Sequence, residues 1–242
     1  MILIIDAFVN IAYLNGSLHL PVMNFIRQIS KIIILAAGML YLTGVVVTAQ
    51  TKKNKKRKVT PIAARVSSQF TSFVKEADGA GIDFKLPVPF KELPAVNNEN
   101  FTFDYAMTMP GQDFEVWFQV HSLKQNWSSY EQVKNITGKT LANPDSTYLN
   151  AARAHASALS DDDNYFMRPL PESVLEMYNA DAGKTYLFDL ANMPETRNYK
   201  YALLIAIQKH HIGYVMAVCL TNVKGPEFFK NINKARNCIK FR

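Results

Sequence analysis

The chain has only two cysteines, Cys219 and Cys238, and neither sits at a spacing that metal ligands use, which disfavours a zinc centre. No recognisable triad motif joins His121, His155, His210 or His211 to a cysteine or serine nucleophile. No internal repeat is visible, and no long Gly/Ser or Pro linker divides the chain after residue 59. The Pro-rich stretch from Leu86 to Pro94, followed by Asn97 to Asn100, reads as an irregular connection rather than a domain boundary. These absences remove the usual sequence grounds for an enzyme. They leave one enzymatic alternative open, a hydrolase whose Asp, Glu, His or Ser residues meet only in three dimensions.

Net charge is also missing where a nucleic-acid binder would need it. The whole chain carries 27 Lys and Arg against 20 Asp and Glu. Two bases and one acid lie in residues 1–50, and six bases form the cluster Lys52, Lys53, Lys55, Lys56, Arg57 and Lys58. Residues 59–242 are left with 19 bases and 19 acids, so the basic pI belongs to the segment before them. A nucleic-acid interface would put the excess on the domain itself, and nucleic acid is therefore excluded as a partner. The cluster reads as a solvated spacer, able also to touch an anionic surface such as membrane headgroups or lipopolysaccharide.

The stretch Met23 to Gln50 reads as an export signal. Arg27 and Lys31 give a positive start, Ile32 to Val47 is almost unbroken apolar sequence, and small residues end at Ala49 and Gln50, the expected cleavage point. Residues 1–22 carry Asp6 and no base, and Asn10, Asn15, Gly16 and Pro21 interrupt their apolar character. They are read as an over-extended start, with Met23 the natural one. The opposing reading is a signal-anchor that tethers the domain to a membrane, because six bases after the run outnumber two before it. The run's length, about sixteen residues against the roughly twenty of a bilayer span, favours cleavage. No cysteine directly follows the run, both lying far downstream, which argues against a lipoprotein anchor. The expected organisation is 23–50 signal, 51–59 basic linker and 60–242 a single α+β domain, in the periplasm or secreted.

Within 60–242, Phe101 to Met109 alternates apolar and polar residues, Pro110-Gly111-Gln112-Asp113 supplies a turn, and Phe114 to Val120 resumes the alternation. That predicts a half-buried hairpin. Tyr201 to Ile207 and Tyr214 to Leu220 are nearly continuous apolar runs around Gln208 to His211, as expected for central strands covered on both faces. Thr60 and Pro61 are expected to open a helix carrying Phe70, Phe73 and Ala77; Asn143-Pro144 a second, with Leu149, Ala152, Ala156 and Leu159 on one face; Gly225-Pro226 a third, with Phe228, Ile232 and Ala235. The fold class is α+β, an antiparallel sheet covered by helices in an α/β/α-type sandwich.

One run of features resembles a known superfamily. Asn179-Ala180-Asp181-Ala182-Gly183 precedes Tyr186-Leu187-Phe188, then come the apolar hairpin Tyr201 to Leu220, the helix from Pro226, and Cys238-Ile239-Lys240-Phe241. Over residues 101–242 this order resembles the PsbP-like (Mog-type) α/β/α sandwiches. The resemblance lies at the level of the fold and brings no catalytic signature. It implies a non-enzymatic binding or assembly factor without a cofactor. The stretch Ser122 to Thr140 and the first helix depart from that pattern.

The remaining candidates are few. Cys219 and Cys238 can form a disulfide in an oxidising compartment if their Cα atoms come within about 7 Å, or be small core residues. His210-His211 falls in a predicted turn, the setting of solvated histidines, and His155 beside an apolar stripe reads as a packing residue. Ser160-Asp161-Asp162-Asp163-Asn164 lacks the alternating acids and turn glycine of an EF-hand and reads as a solvated loop. Trp127, Tyr130, Tyr165 and Phe166 fall in expected connecting segments and are the candidates for ligand contact, with Trp117 and Tyr148 beside them as further aromatics. The preferred expectation is an exported envelope module that binds a protein or envelope component.

Overall fold

The computed structural model describes residues 67–136 and 141–242. The signal segment with Ala49 and Gln50, the early start, the basic cluster and the Thr60-Pro61 helix start lie outside the described residues. Seven strands form one antiparallel sheet in the order β2-β3-β4-β8-β7-β6-β5. They are β2 (Lys91–Leu93), β3 (Tyr105–Thr108), β4 (Glu115–Ser122), β5 (Ser160–Pro169), β6 (Ala182–Leu190), β7 (Tyr201–Lys209) and β8 (Gly213–Thr221). Helices cover both faces, so the chain is the α+β sandwich expected.

The β7–β8 hairpin is the centre of the sheet. It pairs from Tyr201 opposite Thr221 to Lys209 opposite Gly213, and apolar side chains of both parities are buried on it. On one face Leu203, Ile207, Val215 and Cys219 pack with Phe73 and Ala77 of α1 (Ser68–Gly79) and with Phe228 and Ala235 of α5 (Pro226–Ala235). A two-stranded ribbon, β1 (Ile82–Phe84) with β9 (Ile239–Phe241), closes that layer. On the other face Leu204, Met216 and Val218 pack with Tyr148, Ala152, Ala156 and Leu159 of α3 (Thr147–Leu159). Two further helices are α2 (Lys124–Val133) and α4 (Glu172–Tyr178).

Local chemistry accounts for most boundaries. Helix α1, which carries Phe70, Phe73 and Ala77, starts at Ser68. Ser67 has extended backbone and its hydroxyl accepts from Phe70 N, so the available cap fixes the start. Asn143 accepts from Asp145 N and opens a 3₁₀ turn, Pro144–Ser146, that runs into α3. Gly225-Pro226 opens α5 as the sequence indicates, and Cys238 leads into the short β9.

Three expectations need correction. The first hairpin is covered on both faces: Ala106 and Trp117, expected on its open side, are fully buried beneath the α3 layer. Its alternation also changes phase at Asp104. Phe101 and Phe103 enter the α3-side core, whereas Tyr105, Met107 and Met109 enter the opposite one. There the Asp104 carboxylate accepts from Val120 N at 2.7 Å. The stretch after Ser122 is the helix α2, which buries none of its residues and so leaves little apolar periodicity to read. The acidic stretch Ser160 to Asn164 belongs to β5 and not to a loop. Its pairing with β6 shifts between Ser160 and Tyr165, a bulge that polar residues at a sheet edge accommodate.

Candidate functional site

The β7–β8 turn gathers the largest set of polar and aromatic candidates. His211 adopts a positive φ of 63°, which lets the chain reverse within Gln208 to Ile212. That turn faces Asp145, held in the 3₁₀ turn before α3. One oxygen of Asp145, Oδ1, accepts from Trp127 Nε1 at 3.0 Å, Gln208 Nε2 at 2.7 Å and His211 N at 2.9 Å. Its other oxygen lies 3.6 Å from His211 Nε2. The Trp127 ring lies 3.8 Å from that of His211, and Tyr130 meets Trp127 edge-on at 5.2 Å. Asp145 thus clasps α2 to the central hairpin. This clasp was invisible in the sequence because its members come from three separated segments.

Beside the clasp an open groove runs along α2, lined among others by Gln125, Asn126, Ser129, Tyr130, Pro144 and Thr147. Among the described residues its lining carries amides, hydroxyls and a phenol ring beside the apolar Val133, Leu141 and Ala142, and no charged side chain. Such a surface can hydrogen-bond, stack and make apolar contact with an uncharged partner.

The second aromatic pair lies elsewhere. Tyr165 and Phe166 are on β5, at the outer edge of the sheet. Tyr165 stands opposite Phe188, whereas Gln208 at the clasp stands opposite Ala182, six residues away along β6 and so roughly 20 Å distant. Tyr165 packs edge-on against Tyr186. Phe166 is half-exposed, with the Arg168 guanidinium 4.6 Å from its ring. Trp127 and Tyr130 therefore share a site that Tyr165 and Phe166 do not join. Trp117 and Tyr148 are buried, which removes both from any ligand surface.

A second polar cluster escaped sequence reading. Glu115 is 7% exposed, and Trp117 Nε1 and Arg197 Nη1 both donate to its Oε2, at 3.1 and 2.8 Å. Arg197 Nη2 also donates to the Pro94 carbonyl at 3.1 Å. Burial and the neighbouring Glu115 push the Tyr199 phenol above its ordinary range. This network ties the loop before β7 to β4 and satisfies a buried carboxylate, a structural role.

Several titratable groups are displaced. Burial, partly opposed by the bond from Val120, pushes Asp104 up to about 6. Burial holds His155 below the ordinary histidine range; its Nε2 is 2.9 Å from Gln119 Oε1, and its ring lies 5.1 Å from that of Phe103. It is the packing residue expected. Burial alone would raise Asp181, but His210 N and Lys209 Nζ, donating at 2.9 and 3.0 Å, outweigh it and lower its pKa. None of these groups lines the α2 groove.

Cys219 and Cys238 are free thiols, both buried, and they line one small cavity of about 30 Å³ between the sheet and α5. Burial pushes Cys238 up to about 12 and Cys219 higher still, so neither is a nucleophile in the folded chain. Among the described residues no group of three or more His, Cys, Asp or Glu is placed to hold a metal ion. Among them, too, no helix is long and apolar enough to cross a membrane.

No protein-family model matches the chain. A search of curated proteins finds no match either.

Proposed function

We propose that the chain is an exported, non-enzymatic envelope module whose α2 groove binds an uncharged envelope component. The observation that carries this reading is α2 itself. It buries none of its residues, yet an aspartate with three donors and a Trp127–His211 contact hold it against the hairpin. A helix that adds so little to the core, and is fixed so firmly, suits presentation of a surface. The groove's amides, hydroxyls and Tyr130 supply that surface, and its openness suits a partner larger than a small metabolite. The displaced groups Asp104 and His155 do not line it, and among the described residues no perturbed acid or base does. The signal-like Met23 to Gln50 supports an envelope address. The resemblance to PsbP-like sandwiches agrees with a binding or assembly role, at the weight that fold analogy carries.

The test is co-sedimentation of purified chain with isolated cell envelopes. Tyr130→Ala and Asn126→Ala are the variants of choice, because Trp127 also anchors α2. Saturable binding weakened about tenfold or more by either substitution, with unchanged melting, is the expected result. Binding that both variants retain in full would remove the groove as the site. No binding by the wild-type chain would remove the envelope component.

A further inference from the structure

One cavity is walled by both cysteines. Cys219 lies in the middle of β8, the central strand, and Cys238 ends the turn between α5 and β9. Both line the same cavity, whose remaining walls include Ile205, Ile232 and Tyr178. The two side chains thus face the same cavity in the core, whose lining is apolar apart from Arg236 and the Tyr178 hydroxyl. The two residues enclose a loop of about 18 residues that contains all of α5.

We propose that Cys219 and Cys238 form an intramolecular disulfide when the chain folds under oxidising conditions, stapling the α5–β9 segment to the centre of the sheet. Each thiol loses its proton and the two sulfurs together lose two electrons. The oxidant is a disulfide, that of an exported thiol oxidase or of oxidised glutathione. One cysteine attacks it and forms a mixed disulfide, the second displaces the leaving thiol, and the oxidant departs as two thiols. The exchange belongs to folding, before α5 closes over the cavity, because both thiols are fully buried afterwards and resist ionisation there. The physiological oxidant rests on the export reading above; the bond itself does not.

The experiment is oxidative refolding of the purified full chain. Reduced, unfolded protein is refolded in glutathione buffer at the poise of an oxidising compartment, alkylated in denaturant, and weighed. The expected product is a monomer with no alkylatable thiol, two hydrogens lighter than the reduced chain, and yielding a Cys219–Cys238 linked peptide. Its melting temperature should exceed that of the same protein after reductant by roughly 6–12 °C. Cys238→Ala should melt at the same temperature with and without reductant. Two alkylatable thiols in the folded monomer, or bonds only between chains, would overturn the proposal. So would a reductant-sensitive Cys238→Ala. Because refolding is done in vitro, these outcomes are independent of where the cell keeps the protein.

Discussion

Replacing Asp145 with alanine removes one acceptor from three donors at once. Gln208 is 1% exposed, so its amide, which donates to Asp145 Oδ1 at 2.7 Å, cannot turn to water. A buried donor left without an acceptor costs about 1–3 kcal/mol. Trp127 Nε1 and His211 N lie nearer the surface and regain water, adding roughly a few tenths each, for about 2–4 kcal/mol in all. With a urea dependence of about 2 kcal/mol per molar, the unfolding midpoint should fall by about 1–2 M. Tryptophan fluorescence is a suitable probe, since Trp127 lies against His211 and Trp117 is buried in the core. The double variant Asp145→Ala with Gln208→Leu distinguishes the cause. Removing the stranded amide should restore most of the loss, giving a coupling of about 1–2 kcal/mol between the sites. A midpoint within about 0.3 M of wild type, or strictly additive losses, would refute the clasp.

Asp104 gives a pH test. Its folded pKa of about 6 is above the ordinary 3.8, so its contribution to stability is fully present below 3.8 and lost as pH rises through 6. Asp104→Asn should flatten that part of the pH–stability curve by about 1–2 kcal/mol, a value reduced for its contact with solvent; an unchanged slope in urea titrations from pH 4 to 7 would contradict it. Gly213→Ala should cost about 1–3 kcal/mol by thermal or urea unfolding, because a Cβ there would lie 2.6 Å from the His121 carbonyl and 3.2 Å from Ala80 Cβ.

The sheet's centre was legible because its side chains carry the signal themselves. The apolar runs Tyr201 to Ile207 and Tyr214 to Leu220 can satisfy their burial only with cover on both faces, and the two helical layers provide it. Capping chemistry marked Asn143 and Gly225-Pro226. What escaped was whatever depends on context. Helix α2 has almost no buried stripe, and β5 pairs through a bulge of acids, so neither shows a clean period. The phase change at Asp104 is made by a side chain bonding to Val120, sixteen residues away, which no local pattern announces. Of the four aromatic candidates, Trp127 and Tyr130 share a site, but their partners Asp145, Gln208 and His211 come from distant segments. Tyr165 and Phe166 had the same composition in their favour and stand at another edge of the sheet.

The intact mass of the native protein in separated soluble envelope, membrane and cytoplasmic fractions tests the proposed export most directly. A chain beginning near Gln50 or Thr51 in the soluble envelope fraction is the predicted result. An uncleaved chain, whether in membranes or in the cytoplasm, would contradict it.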